Sequence, residues 1–147
     1  GGFSAPVAYS SGKVPESLAM GDVDGDGDID LAVANSSYAV AGTPGVMVFL
    51  NDGEGGFGTS THHAATAHAS GVSLDDVEGD GDLDLVVVDR NSDGHSGADE
   101  IEVLLNDGTG DFGSPTEYSI DGNQPGSLTA GDFNRDEISP KCSDFDV

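Results

Sequence analysis

The chain is poor in basic residues and has only one cysteine. Among 147 residues, Lys and Arg together number 4 against 28 Asp and Glu, a formal net charge of −24. Such a balance repels nucleic acid and anionic membrane headgroups, and leaves cations as the natural counter-partners. Cys142 stands alone and can form no internal disulfide. A secreted chain of this kind needs another source of rigidity, and bound metal is the expected one. No apolar run approaches the ~20 residues of a transmembrane helix, so no membrane insertion is expected. There is no signal peptide and no initiating Met, which predicts a mature product or a fragment. No stretch carries capped helical periodicity. Nucleophilic catalysis has no support either: no Ser sits in a Gly-x-Ser-x-Gly elbow, and Cys142 falls in a divergent tail. No enzyme is expected.

What the chain does have is repetition. Its acids cluster in short windows that alternate with strand-like runs, Leu31–Ala34, Val46–Leu50, Leu85–Val88 and Val103–Leu105. Asp22, Asp76 and Asp132 head three acidic loops, 54 (76 − 22) and 56 (132 − 76) residues apart. Gly55-Gly56-Phe57-Gly58 echoes Gly1-Gly2-Phe3-Ser4, and Gly110-Asp111-Phe112-Gly113 echoes both. Val46–Gly53 matches Ile101–Gly108, and each ends in Asn-Asp-Gly. That triplet predicts a tight hairpin turn, because Asn and Gly tolerate positive φ. One unit reads as four strands: Ser17–Val23 into the acidic loop, Leu31–Asn35 out of it, Val46–Leu50, and a fourth starting near Phe57. A four-stranded unit of this length is the mark of a propeller blade. The expectation is an all-β, incomplete propeller. It comprises a partial blade over residues 1–16, blades over 17–70 and 71–126, a partial blade over 127–138, and a divergent tail over 139–147. Open blade edges seek partners, so other copies of the chain, or the rest of a longer one, are expected to cover them.

Loop one places carboxylates at Asp22, Asp24, Asp26 and Asp30, with Asp28 between the last two. Loop two places them at Asp76, Glu78, Asp80 and Asp84, with Asp82 between. Ca²⁺ takes six to eight oxygens, and alternate positions of a curled loop can aim side chains at one centre. Gly25, Gly27, Gly79 and Gly81 permit the curl. Asp28 and Asp82 are expected to offer a backbone carbonyl with the side chain outward. Ile29 and Leu83 are expected to turn into the core. Hard oxygen donors favour Ca²⁺ over Zn²⁺, and Mg²⁺ prefers a tighter, wetter octahedron. The loops are not EF-hands, since twelve positions from Asp22 and from Asp76 fall Val33 and Val87 rather than Glu. Loop three keeps Asp132, Asn134 and Asp136, but has Pro140 where the last carboxylate belongs. Weak or absent binding is expected there.

These motifs resemble the FG-GAP/VCBS repeat family, the blades of integrin-alpha-like β-propellers. The resemblance rests on Gly21–Leu31, Asp76–Leu85 and the Phe-Gly steps at Phe57 and Phe112, and covers about residues 1–138. It implies Ca²⁺ loops between the first and second strands of each blade, with a structural role. The implied ligands are Asp22, Asp24, Asp26, Asp28 (backbone) and Asp30, then Asp76, Glu78, Asp80, Asp82 (backbone) and Asp84. Glu78 departs from the usual Asp or Asn. The resemblance implies an extracellular or cell-surface protein and does not fix a protein or glycan ligand. The functional expectation is an extracellular, Ca²⁺-stabilised structural or adhesive repeat. A self-assembling subunit of a ring or fibre, or an accessory domain of a secreted hydrolase, are the alternatives.

Two smaller signals complete the reading. His62 and His63, with His68 nearby, could hold a transition metal. Against this, His63 aligns with Tyr9 and Tyr118, a strand surface position, so a surface role is expected. Asn35-Ser36-Ser37 fits the glycosylation acceptor pattern.

Overall fold

The computed structural model describes residues 5–36, 44–63, 65, 68–90, 99–120, 125 and 128–130. The described chain is all-β. Four strands, β1 (Pro15–Gly21), β2 (Asp30–Asn35), β3 (Gly45–Leu50) and β4 (Thr59–His63), form one antiparallel sheet in the order β1-β2-β3-β4. Four more, β5 (Ala69–Asp75), β6 (Asp84–Asp89), β7 (Asp99–Leu104) and β8 (Thr116–Ile120), repeat that order in a second sheet. Each is a meander of blade type, every strand pairing with its chain neighbour, which needs only short connections.

β-branched and small apolar residues make β2, β3 and β6 strands, and side-chain alternation gives each sheet two distinct faces. Register fixes which residues share a face. Leu18 pairs with Val33, Met20 with Leu31, and Leu31 with Phe49, so these share one face of the first sheet. Ala19 pairs with Ala32, and Val48 with Ala32, so these share the other. The second face packs on the second sheet. Ala32, Ala34, Val46 and Val48 join Val72, Leu85, Val87, Leu104 and Phe112 in one buried cluster. A smaller cluster of Val86, Val88, Ile101 and Val103 lies on the far face of the second sheet, against Leu128 and Ala130.

Four expectations are corrected. Asn51 and Asn106 do not close their turns at positive φ; Gly53 (73°), Gly55 (87°), Gly108 (81°) and Gly110 (76°) do. The connection is a wider loop, tied by Asp52 N–H to the Gly56 carbonyl (2.9 Å) and by Asp107 N–H to the Asp111 carbonyl (3.1 Å). His63 is buried rather than at the surface, because Phe112 of the second sheet stands edge-on to its ring at 5.0 Å. Ile29 is 53% exposed, whereas its counterpart Leu83 packs against the shared cluster. The difference lies in the neighbour: Leu83 abuts Gly21 of the first sheet, and among the described residues no sheet stands in that place beside Ile29. Asn35 is fully buried with Gly12 packed over its amide, which leaves no room for a glycan in this fold.

Candidate metal centre

Both intact acidic loops sit at the same point of their sheets, between the first strand and the second. The chain leaves β1 at Gly21 and re-enters β2 at Asp30, and everything between is a curl closed by its own carboxylates. Gly25 (φ 74°) and Gly27 (94°) adopt the left-handed conformation that the curl requires. Their N–H groups donate to the two oxygens of Asp22, each at 2.9 Å. Asp26 N–H donates to Asp24 Oδ1 (3.2 Å), and Asp28 N–H to Asp26 Oδ1 (2.9 Å). Each successive acid thus turns the backbone beneath it. Loop two repeats the scheme except at Glu78, where Asp80 N–H donates to Asp76 Oδ1 (3.1 Å) instead. Gly79 and Gly81 donate to Asp76 at 2.7 and 2.9 Å, and Asp82 donates to Asp80 Oδ1 at 3.0 Å.

The last acid of each loop has a different task. Asp30 and Asp84 are both fully buried. Asp30 accepts from Val23 N–H (2.9 Å) and from Asn51 N–H (2.8 Å). Asp84 accepts from Val77 N–H (3.0 Å) and from Asn106 N–H (2.8 Å). Each carboxylate therefore ties the start of its loop to the hairpin between the third and fourth strands. The asparagines reciprocate. Asn51 Nδ2 donates to the Ile29 carbonyl (3.1 Å), and Asn106 Nδ2 to the Leu83 carbonyl (3.0 Å). Asn106 Nδ2 also lies 2.7 Å from the Val23 carbonyl, inside the first sheet's acidic loop. Sequence reasoning took these asparagines only as turn formers. The signal that could have found them was their recurrence in phase with the loops.

Asp22, Asp24 and Asp30 bring one carboxylate oxygen each within 4.8 Å of one another. Among the described residues this is the one such convergent group of His, Cys and acid side chains. In loop two the longer Glu78 reaches Asp80, a carboxyl–carboxyl contact that pushes its titration up, after burial and the Asp80 and Asp84 charges. Burial raises Asp24, reinforced by the charges of Asp26, Asp30 and Asp22 and opposed by the Asp26 N–H. Burial also raises Asp84, against the N–H groups of Asn106 and Val77. The side chains of Asp28 and Asp82 lean away, over Gly53 and Gly108; a Cβ on either glycine would meet a carboxylate oxygen at 2.6 Å. Asp132, Asn134 and Asp136 lie outside the described residues, as do His95 and Cys142.

Among the described residues the histidines form no centre. Adjacent residues of β4 point to opposite faces, so His62 reaches the Pro44 carbonyl (2.8 Å) while His63 pairs with Thr61 Oγ1 (2.9 Å). Burial, with the His62 charge, lowers the His63 titration, and Asp111 opposes it.

A cluster of hard, negatively charged oxygens on a glycine-curled loop can hold a cation of the Ca²⁺ class, and the donor set fits one. A family model described as an FG-GAP-like repeat matches residues 22–87 and, overlapping it, residues 76–138. Comparison with curated proteins and with solved structures finds no match.

Proposed function

This chain belongs to the FG-GAP-like repeat family, and on that footing we propose that it is an extracellular repeat protein whose sheets are held by Ca²⁺ in a structural or adhesive role. Repeats of this family are typical of extracellular proteins and are generally non-catalytic. Among the described residues no helix is long and apolar enough to cross a membrane. The observation that carries the calcium reading is the meeting of Asp22, Asp24 and Asp30 within 4.8 Å. Like charges at about 5 Å cost roughly 1 kcal/mol per pair in water, and more where solvent is partly excluded. A divalent ion reverses that sign. Asp22, Asp24, Asp26 and Asp30, with the Asp28 carbonyl, would hold one ion. Asp76, Glu78, Asp80 and Asp84, with the Asp82 carbonyl, would hold a second. When bound, the ion supplies charge neutralisation and a tie between strands, with no reaction at the metal.

Thermal unfolding tests this. Ca²⁺ at ~100 times its dissociation constant adds about 2.7 kcal/mol per site, enough to move the midpoint by several degrees. A midpoint equal in Ca²⁺ and in chelator would sink the reading. Asp22→Asn with Asp24→Asn should remove the part of the shift that belongs to loop one.

A further inference from the structure

Asn106 belongs to the second sheet's hairpin, yet its side chain reaches the acidic loops of both sheets. It is buried, and its amide is bonded on both sides. Nδ2 donates to the Val23 carbonyl of loop one at 2.7 Å and to the Leu83 carbonyl of loop two at 3.0 Å. Oδ1 accepts from Gly108 N–H and Gly110 N–H, each at 3.1 Å. Carbonyls on the nitrogen and N–H groups on the oxygen hold the amide in one orientation. The Asn106 N–H donates to Asp84, the last acid of loop two, at 2.8 Å. At the other end, Val23 N–H donates to Asp30, the last acid of loop one, at 2.9 Å. The hairpin also lies against loop one: a Cβ on Gly110 would stand 3.5 Å from Val23 and from Asp24. Asn51, one repeat earlier, keeps its bonds within its own sheet, to Asp30 at 2.8 Å and to the Ile29 carbonyl at 3.1 Å.

We propose that the two cation sites are coupled through Asn106, so that filling either one raises the affinity of the other. The proposal rests on the calcium reading and adds a dependence between its two sites. In chelator, repulsion among Asp22, Asp24 and Asp30 works to draw Asp30 off the Val23 N–H. A cation in loop one holds Asp30 in place, and with it the Val23 peptide. A fixed Val23 carbonyl holds the Asn106 amide, and the Asn106 N–H then meets Asp84 where loop two needs it. Loop two binds with less of its own ordering left to do. By linkage the effect is equal in the reverse direction. Three hydrogen bonds in series, centred on one buried amide, give a coupling of about tenfold, inside the range of linked sites. Asn106 is a positioning residue: it acts through Asp30 and Asp84.

Calorimetric titration with Ca²⁺ tests this on the full chain in three forms. One is the parent, one carries Asp22→Asn with Asp24→Asn, and one carries Asp76→Asn with Asp80→Asn. The two single-site chains give each association constant alone, and the parent gives the constant for filling both. That overall constant should exceed the product of the two by about tenfold. With Asn106→Asp added to all three chains, the excess should fall to within about twofold of none, as for independent sites. The substitution keeps the acceptor oxygen and the backbone N–H and removes the amide donors. Its added charge strengthens every site alike and cancels in the ratio. Asn51→Asp, the same change in the first sheet, should leave the excess intact. Circular dichroism confirms that each variant folds. Amide hydrogen exchange needs no change at Asn106: in the chain with loop two disabled, Ca²⁺ should slow exchange across residues 105–110. Single-site constants that multiply to the parent value would leave both sites standing and overturn the coupling. So would an excess that survives Asn106→Asp, or protection confined to residues 22–30. If neither single-site chain binds Ca²⁺, the calcium reading itself falls, and the coupling with it.

Discussion

Removing the Asp84 carboxylate should cost more stability than removing any other acid of its loop, even with no metal present. The side chain is fully buried and accepts two backbone N–H groups, from Val77 at 3.0 Å and Asn106 at 2.8 Å. A hydrogen bond to a charged group contributes about 1.5–3 kcal/mol, and losing the acceptor leaves buried donors unpaired. Against this stands relief from burial of the charge and from repulsion by Asp80 and Asp76, the causes that raise the Asp84 titration. Asp84→Ala should therefore lose about 2–4 kcal/mol net. Asp84→Asn keeps one acceptor oxygen and sheds the charge, and should lose about 1 kcal/mol. Asp82→Asn is the control, because that side chain leans over Gly108 away from the loop; it should stay within about 0.5 kcal/mol. Urea unfolding in chelator, followed by far-ultraviolet dichroism, separates this role from cation binding. With a slope of about 1–3 kcal/mol per molar, Asp84→Ala should lower the midpoint by about 1–2 M at unchanged slope. If Asp84→Ala and Asp82→Asn unfold together, the last acid is not the tie between loop and hairpin, and the reasoning fails.

Leu83→Ala should cost about 2–3 kcal/mol by urea unfolding, whereas Ile29→Ala at the matching position should fall within about 0.5, since only Leu83 packs on a neighbouring sheet. Gly108→Ala should lose about 1–2 kcal/mol, because φ is 81° there and the new Cβ would press on Asp82; a variant as stable as the parent would refute the close approach. In chelator, stability should rise as pH falls from neutral towards about 4. Asp24, Glu78, Asp84 and Asp89, raised chiefly by burial, bind protons more readily folded than unfolded. Below about pH 4 the trend should reverse, as Asp52 and Asp107 lose the hydrogen bonds that hold them low. With Ca²⁺ present the upper slope should change sign, because protons then compete with the ion; melting midpoints across pH check both.

The strands and loops were legible because they are encoded locally. Short β-branched apolar runs such as Val46–Leu50 and Leu85–Val88 specify strands, and the recurring register of acids at alternate positions with glycines at Gly25, Gly27, Gly79 and Gly81 specifies the curl. What was illegible depends on neighbours. Ile29 and Leu83 hold the same motif position, yet one is exposed and the other packed. His63 aligns with Tyr9 and Tyr118, both 42% exposed, but Phe112 covers it. No local pattern carries that information. It comes from what packs beside each unit, the same reason Leu18 is exposed while Val72 is buried.

The sheet–sheet core is built from small residues, Ala32, Ala34, Val46 and Val48 on one side. At roughly 25 cal/mol per Å² such side chains stabilise an interface only modestly, so ties at its rim matter. Asn106 supplies one. Its side-chain amide reaches the Leu83 carbonyl of its own sheet and the Val23 carbonyl of the other, while its backbone N–H holds Asp84. Val23 N–H in turn is held by Asp30, an acid of the convergent Asp22–Asp24–Asp30 group. One chain of hydrogen bonds thus joins both acidic loops across the interface. Asn51, the counterpart one repeat earlier, makes the same bond within its own sheet, to the Ile29 carbonyl. A cation that orders loop one would therefore also fix the carbonyl on which the second sheet's hairpin rests. Bound in this way, the ion would couple metal binding to sheet packing.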